Sequence, residues 1–280
     1  MSKRTKKTKV KEQQVSILAL PGAGKTVFLT AALSALEKDP YYGFFAGTFK
    51  DYETIRDTIQ EEKSWPEKTK KIQNGKVEKF KLLDQDCMLK IHSPPWEDFQ
   101  LALESEKNNA NTLKDTLSTV EKSFKNKNFK NAVTTIGESV QSAFTSNGVL
   151  DVMKKSDAIF LIVDSVLLSA TDKELKKSLK DFLDTCLNYF VTQPNAKKIT
   201  KLGIVLTKTD VYRNRSTIID NDPFKASYHQ FSNWLNSEMK DKEKFFYESI
   251  LVTKIDYEGN YVPDEINPEA AVKPFLWLFE

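Results

Sequence analysis

Short apolar segments recur along the chain, and each ends in a polar or glycine-containing turn. Gln14 to Leu20 (QVSILAL) is an apolar run with β-branched members that stops at Pro21-Gly22, so it predicts a buried strand entering a tight loop. Further strands are predicted at Val77 to Leu83, Cys87 to Ile91, Ala158 to Val163 and Leu202 to Leu206, with another candidate at Ile250 to Val252.

Segments with apolar residues at every third or fourth position alternate with these strands. They predict helices from Thr26 to the Asp39-Pro40 stop, over Lys173 to Phe190 and over Ser227 to Met239. Two more amphipathic helices are predicted between Trp96 and Ser156, and residues 41–75 predict a long loop with some helix. Strands alternating with helices predict an α/β fold with a mainly parallel sheet, whose ligands bind beyond the carboxyl ends of the strands.

The composition is that of an ordinary globular protein, with 40% hydrophobic and 29% charged residues. Two cysteines, Cys87 and Cys186, are too few for a disulfide framework, and a closed zinc site would need both of them together with both histidines. The sequence shows no leader-like segment and no long apolar span, so we expect a cytoplasmic protein.

The net charge of +3 comes largely from residues 1–12, where six basic residues face one acid. Such terminal runs are typically solvated, so we predict a basic disordered tail over 1–12. The alternative is a contact of this tail with nucleic acid or an anionic membrane.

The turn after the first predicted strand carries a phosphate-binding pattern. Ala19 to Thr26 (ALPGAGKT) matches Gly-x-x-x-x-Gly-Lys-Ser/Thr except at its first residue. Backbone N–H groups of such a loop, with the positive N-terminal end of the next helix, hold a polyphosphate, and the lysine reaches the β- and γ-phosphates. The alternative is a glycine-rich turn without a ligand. The predicted nucleotide-binding residues here are Pro21, Gly22, Ala23, Gly24, Lys25, Thr26 and Val27, and the Thr26 hydroxyl is a predicted Mg²⁺ ligand.

A second element, Thr207 to Asp210 (TKTD), follows the strand predicted at Leu202 to Leu206. An ionised Asp210 carboxylate only accepts hydrogen bonds, which suits the two adjacent donors of guanine and not the N1 acceptor of adenine. A polar turn that closes a strand is the alternative. Lys208 and Asp210 are therefore predicted to read guanine in GTP or GDP.

The order of these elements resembles the Ras-like P-loop GTPases of the translation-factor-related class, over nearly the whole chain from Val15. The segment from Ser156 to Ser165 is similar to the family's central strand and its following acid, and Asp164 is interpreted as structural. The resemblance implies a three-layer P-loop NTPase fold over 13–280 with a helical insertion at about 97–156. It also implies base-supporting residues at Thr253 and Lys254, and a closing helix at Val272 to Leu278.

The segment from Trp65 to Thr69 (WPEKT) resembles a Trp-Pro-x-x-Thr switch piece of bacterial GTPase-like proteins. This resemblance makes Thr69 a second predicted Mg²⁺ ligand and, with Lys25, a predicted catalytic residue. The alternative is a proline-containing loop with a buried tryptophan.

The chain departs from the family after the strand at Cys87 to Ile91, where Asp-x-x-Gly is expected. Ser93 occupies the place of the acid and Trp96 that of the glycine. A neutral hydroxyl cannot supply the carboxylate's charge near Mg²⁺, and a bulky side chain restricts the approach of the backbone. No glutamine or identifiable arginine finger completes a hydrolytic site, so we expect slow hydrolysis or none.

Three functions fit these features, and enzymatic activity stays open among them. In the first, GTP orders the 41–75 loop and the 97–156 insertion, which then bind a protein partner as a switch or scaffold; alternatively the insertion helices only pack on their own domain. In the second, the chain is an active GTPase or NTPase that cleaves the β–γ phosphate bond. In the third, it is an ATP-using P-loop enzyme in which Lys208 and Asp210 are incidental.

Overall fold

A computed structural model describes residues 10–38, 46–47, 52–65, 73–82, 85–107, 148–168, 170–192, 199–210, 228–247 and 250–280. Its strands are β1 (Lys11–Ala19), β2 (Ala46–Gly47), β3 (Gln73–Leu82), β4 (Gln85–Ser93), β5 (Ala158–Asp164), β6 (Lys201–Thr207), β7 (Glu243–Phe246), β8 (Leu251–Ile255) and β9 (Tyr261–Ile266). Its helices are α1 (Lys25–Lys38), α2 (Tyr52–Gln60), α3 (96–107), α4 (Gly148–Met153), α5 (Ser165–Leu168), α6 (Lys173–Thr192), α7 (His229–Glu238) and α8 (Pro268–Trp277).

Seven strands form one sheet in the order β2-β3-β4-β1-β5-β6-β7. Strands β4, β1, β5, β6 and β7 run parallel, whereas β3 pairs antiparallel with β4 and with β2. The predicted class is confirmed: this is an α/β fold with a mainly parallel sheet. Strand β7, which the hydrophobic pattern did not predict, forms one edge of the sheet.

Strand β1 is central because its apolar run is buried from Val15 to Ala19. It begins at Lys11, ahead of the predicted start at Gln14, and so includes the last two residues of the predicted tail. The reason is that Lys11 pairs with Cys87 in β4 and that its ammonium group donates to the Phe279 carbonyl oxygen. Residues 1–9 of the predicted tail lie outside the described residues.

The strand candidate at Ile250 to Val252 belongs to a separate element. It corresponds to β8, which pairs antiparallel with β9 in a two-stranded sheet instead of joining the main one. The register shifts between Val252 and Thr253, opposite Pro263, whose missing N–H cannot take part in the ladder.

The hydrophobic core on one face of the main sheet is built from α1 and α8. The Phe28 ring stacks on the Phe275 ring at 5.3 Å between centroids, and Phe275 meets Phe160 of β5 edge-on at 5.3 Å. A Cβ atom at Gly203 in β6 would lie 2.6 Å from the Phe160 ring, so only glycine fits beside it. Since every residue of β5 is buried, both faces of the sheet are covered, as a three-layer fold requires.

The chain divides into two compact units: Met1–Pro95 with Ser156–Glu280, and Trp96–Lys155. In the second unit Trp96 begins α3 and its ring lies 5.4 Å from that of Phe99, while Lys154 pairs with Glu106 at 2.6 Å. The two amphipathic helices predicted between 113 and 144 lie outside the described residues, and the insertion boundaries stay a prediction. None of the helices in the described part of the chain combines the length and apolarity needed to cross a bilayer.

Candidate functional site

The parallel strands β1, β4, β5 and β6 all end at the same edge of the sheet. Their ends carry the loop after Ala19, the Ser93-Pro94 pair, Asp164 and the Thr207-Lys208 pair. The carboxyl edge of a parallel sheet is where α/β proteins bind ligands. The fold therefore brings most of the predicted site residues to one place.

The loop between β1 and α1 turns at two glycines with positive φ angles. Gly22 and Gly24 have φ angles of +79° and +85°, which residues with a Cβ atom rarely adopt. Ala19, the departure from the motif, lies in β1 and pairs with Ile162 without a positive φ angle. An alanine is therefore tolerated at this first position.

Helix α1 starts directly at the loop. The Phe28 N–H donates to the Gly24 carbonyl oxygen at 2.9 Å, and Pro21 and Gly22 are exposed. The Lys25 ammonium group donates to the Pro94 carbonyl oxygen at 2.5 Å, so it lies at the end of β4. The Val27 side chain is buried in the core, which leaves its backbone as the part that can meet a phosphate.

Thr207, the last residue of β6, connects that strand to the loop. Its hydroxyl lies 2.6 Å from the Ala23 carbonyl oxygen and 3.3 Å from that of Val163, and its side chain is buried. The shorter contact fixes the loop to the strand whose continuation carries Lys208 and Asp210. Thr207 belongs to the predicted guanine motif, but this hydrogen bond leaves no signal in the sequence, because Ala23 is far away along the chain.

Lys208 has a left-handed backbone, with φ of 55°, which is uncommon for a residue with a side chain. Its ammonium group pairs with the Asp164 carboxylate at 2.6 Å. The other Asp164 oxygen accepts the Val166 N–H at 2.9 Å at the start of α5. Asp164, interpreted from sequence as structural, thus also sets the position of a predicted base-reading residue.

Asp210 follows β6 of the main sheet and Thr253 lies in β8 of the two-stranded sheet, yet the two residues are in contact. One oxygen of Asp210, Oδ2, accepts the Thr253 backbone N–H at 3.0 Å and the Thr253 hydroxyl at 2.6 Å. The second oxygen, Oδ1, is buried and has no hydrogen-bond partner among the described residues. The carboxylate is therefore held by one oxygen, and its other oxygen remains as an acceptor.

Lys254, the other predicted base-supporting residue, has a different neighbour. Its half-exposed ammonium group pairs with Asp264 of β9 at 2.9 Å. Lys254 and Lys63 together lower the pKa of the exposed Asp264 carboxyl, mainly through the Lys254 hydrogen bond. The predicted contact of Lys254 with a nucleotide stays a prediction.

The end of β4 has a different chemistry. Ser93 is fully buried, and its Oγ atom has no hydrogen-bond partner in the described part of the chain. Beside it His92 is buried, with Nδ1 3.3 Å from Ser16 Oγ, which lies 2.8 Å from Ser156 Oγ. Burial, with a smaller contribution from the Lys25 charge, lowers the pKa of His92 to about 4, so this histidine is neutral at pH 7. Nothing in the sequence pattern singled out His92.

Thr69 lies outside the described residues, so its predicted roles in catalysis and Mg²⁺ binding stay predictions. The nearby Trp65 is 46% exposed, and its indole N–H donates to the Tyr261 carbonyl oxygen at 3.1 Å. The tryptophan of the alternative interpretation is therefore not buried, and the proline-containing loop that follows it lies outside the described residues.

No protein-family model matches the sequence, and a comparison with curated proteins gave no match. Among solved structures, the chain is similar to the S. cerevisiae Ski7 GTPase-like domain bound to GTP, with 14% identity and a TM-score of 0.44 over 86% of this chain and 43% of that one. It is similar to the bacterial selenocysteine-specific elongation factor EF-Sec, with 11% identity and a TM-score of 0.34 over 86% and 26%. A third similarity is to Methanosarcina barkeri Roco2 RocCORdC bound to GDP, with 12% identity and a TM-score of 0.35 over 88% and 46%.

This chain spans less than half the length of each of these three structures. Likenesses with TM-scores below 0.5 are too loose to indicate a function. The α/β fold is established instead by the strand order of the main sheet and by the glycine-containing loop between β1 and α1.

Proposed function

We propose that this chain binds a guanine nucleotide, with the phosphates at the loop from Pro21 to Val27 and the base at Asp210. The observation that carries the proposal is the Asp210 carboxylate. Its Oδ2 is held by Thr253, whereas its buried Oδ1 has no partner among the described residues. A buried acceptor without a donor costs about 1 to 3 kcal/mol, and a ligand that supplies the donor removes this cost.

Guanine supplies suitable donors at N1 and at its 2-amino group, side by side. Adenine places an acceptor at N1, and an acceptor facing an ionised carboxylate leaves Asp210 unsatisfied. Discrimination by a buried hydrogen-bonding group amounts to roughly ten- to hundredfold or more. Lys208, two residues before Asp210, is held by its ion pair with Asp164, which supports the proposed position of its stem beside the base.

The phosphate side of the proposal rests on the loop and on Lys25. Gly22 and Gly24 give the turn its shape, the Thr207 hydroxyl fixes it at Ala23, and α1 begins at its end. Lys25 donates to a backbone carbonyl oxygen, a bond that a negatively charged phosphate oxygen can replace more strongly. Thr26, at the start of α1, keeps its predicted role as a hydroxyl ligand of a Mg²⁺ ion that accompanies the nucleotide.

We further propose that binding, and not rapid hydrolysis, is the main activity. Ser93 stands where the family carries a carboxylate, and a neutral hydroxyl does not supply the charge that phosphoryl transfer uses. A nucleotide-gated switch or scaffold that binds another protein is the function that fits binding with slow turnover.

Competition for a fluorescent GTP analogue tests the base. We expect GTP to displace the analogue at least about tenfold better than ATP. In Asp210→Asn the side-chain amide offers a donor, so the affinity for GTP should fall. The affinity for XTP, which has a carbonyl oxygen at position 2, should rise. Asp172→Asn is the matched control, because Asp172 accepts backbone N–H groups at the start of α6 and the change keeps an acceptor there. Equal competition by ATP and GTP, unchanged in Asp210→Asn, would overturn the proposal.

Removal of Lys25 tests the phosphate site separately from the base. Lys25→Ala should weaken GTP and ATP alike, by about a hundredfold for GTP, since bonds between charged groups are the strongest in such a site. Lys90→Ala is the control, because Lys90 forms an exposed ion pair with Glu12 on β1. Unchanged GTP affinity in Lys25→Ala would exclude the loop as the phosphate site.

Hydrogen exchange tests the switch. If the nucleotide orders the 41–75 loop and the 97–156 insertion, peptides from both segments should gain protection with a non-hydrolysable GTP analogue. Identical protection with and without the analogue would leave nucleotide binding in place and exclude the switch.

A further inference from the structure

The surroundings of Ser93 decide how a divalent cation would be held beside the nucleotide. Mg²⁺ in proteins is typically bound through one or two carboxylates together with the phosphates of its substrate. The two predicted ligands here, Thr26 and Thr69, are both neutral hydroxyls, and Thr69 lies outside the described residues. No group of three or more His, Cys, Asp or Glu side chains that could hold a metal ion occurs in the described ranges.

Ser93 does not supply the negative charge that the aspartate of the family motif carries at this position. Its Oγ atom is buried without a hydrogen-bond partner among the described residues, so it is a neutral group closed off at the end of β4. The charged group at this position is instead Lys25, whose ammonium lies 2.5 Å from the carbonyl oxygen of Pro94, the next residue. The end of β4 thus lies beside the Lys25 cation, at the position where the Asp-x-x-Gly motif of the family carries an aspartate.

We propose that this site binds guanine nucleotides with an affinity that depends little on Mg²⁺, because the Lys25 ammonium and the N-terminal end of α1 balance the phosphate charge. This inference rests on the proposed function. Without a carboxylate at the position of Ser93 to fix its hydration shell, Mg²⁺ is held mainly by the phosphates and hydroxyls and adds little to the affinity. Such a protein would keep its nucleotide when the free Mg²⁺ concentration falls.

The test uses the full chain and a fluorescent GDP analogue, titrated in excess Mg²⁺ and in EDTA. We expect the dissociation constants in the two buffers to differ by less than about threefold. A carboxylate that holds a metal-bound water through charged hydrogen bonds would contribute roughly ten- to hundredfold. A wild-type affinity that falls tenfold or more in EDTA would overturn the inference.

A pair of substitutions provides a gain of function. Ser93→Asp should introduce the charge and make GDP binding at least about tenfold stronger in Mg²⁺ than in EDTA. Ser93→Asn has nearly the same shape without the charge and should leave the two buffers equal. Thermal unfolding of both variants shows whether they fold, and if Ser93→Asp does not, the wild-type titration alone decides.

The outcomes separate this inference from the function on which it rests. Absence of GDP binding in both buffers would refute the proposed function itself. Binding that requires Mg²⁺ in the wild type would leave the proposed function standing and refute only the independence from the metal. Binding in both buffers, with Mg²⁺ dependence gained in Ser93→Asp and not in Ser93→Asn, supports both.

Discussion

The carboxyl ends of β6 and β4 lie on opposite sides of the loop between β1 and α1 and differ in the partners of their polar groups. At the end of β6, Thr207 binds the loop, Lys208 pairs with a carboxylate, and Asp210 is held by Thr253. At the end of β4, the buried Ser93 hydroxyl has no partner among the described residues and the buried His92 is neutral at pH 7. The first end is an ordered set of charged and polar pairs, whereas residues 92–95 at the second end include no acid.

This difference separates two requirements of a nucleotide site. Recognition of a base needs acceptors held in place before the ligand arrives, because an acceptor that must first be ordered costs conformational entropy. Phosphoryl transfer needs charge aimed at the reacting phosphate and its metal. In the proposed site, the end of β6 fits the first requirement, and residues 92–95 at the end of β4 carry no acid for the second.

The largest expected effect concerns His92. Its pKa is lowered from 6.5 to about 4 in the folded chain, first by burial and then by Lys25. Between these two pH values the unfolded chain takes up a proton that the folded chain does not, so stability falls as the pH falls and the loss is complete below about 4. Relative to pH 7, we expect His92 to lower the free energy of unfolding by about 2 kcal/mol at pH 5 and by about 3 kcal/mol at pH 4.

Urea unfolding of the wild type and of His92→Gln at pH 7 and pH 5 measures this cost. The variant should lose less stability between the two pH values, by the amount given above, whereas His229→Gln, at the exposed start of α7, should behave as the wild type. Equal losses in the wild type and His92→Gln would show that the histidine is protonated in the folded chain.

An intermediate effect is expected for Thr207→Val, which keeps the β-branched shape and removes the hydroxyl. The buried Ala23 carbonyl oxygen loses a donor, so we expect a loss of about 1 to 2 kcal/mol in unfolding free energy and weaker GTP binding. Thr185→Val is a matched control, because its hydroxyl also lies 2.6 Å from a carbonyl oxygen, that of Asp181, but on the exposed side of α6. The control should change stability by less than about 0.5 kcal/mol. Similar losses in the two variants would show that the hydrogen bond to Ala23 contributes no more to the free energy of unfolding than an exposed one.

The smallest effect is expected at Ser93. Ser93→Ala removes a buried hydroxyl without a partner among the described residues, so stability should stay within about 0.5 kcal/mol of the wild type or rise slightly. Chemical denaturation measures it. A loss above about 1 kcal/mol would show that this hydroxyl has a strong partner in the folded chain, and the contrast between the two strand ends would then be weaker.

The strands with continuous apolar runs were predictable from the sequence, because burial on both faces leaves a clear pattern. Strand β5 was predicted at Ala158 to Val163 and ends one residue later. Strand β7 (EKFF) was missed, since a short, partly exposed edge strand has no such run. Strand β9 was missed because Pro263 argues against a strand, and it is tolerated there opposite a register shift.

The site was predictable where chemistry demands a residue type. Gly22 and Gly24 adopt backbone angles that favour glycine, and Asp210 keeps a buried oxygen without a partner among the described residues, as the proposed contact with guanine requires. The bond from Thr207 to Ala23 and the pair between Lys208 and Asp164 depend on which strand ends are neighbours in the sheet. That information is carried by strand order, which the local pattern does not specify.

The position of β1 between β4 and β5 has a consequence for the order of events during synthesis. Val15 pairs with Ile91 on one side and with Ala158 on the other, both far along the chain. Contacts of this kind form slowly, and a chain that leaves the ribosome cannot enclose β1 before β5 has emerged. The hydrogen bond between Asp210 and Thr253 forms later still, because Thr253 must first be synthesised. Although the loop between β1 and α1 lies near the beginning of the sequence, we expect the proposed site around it to be among the last parts of this chain to form.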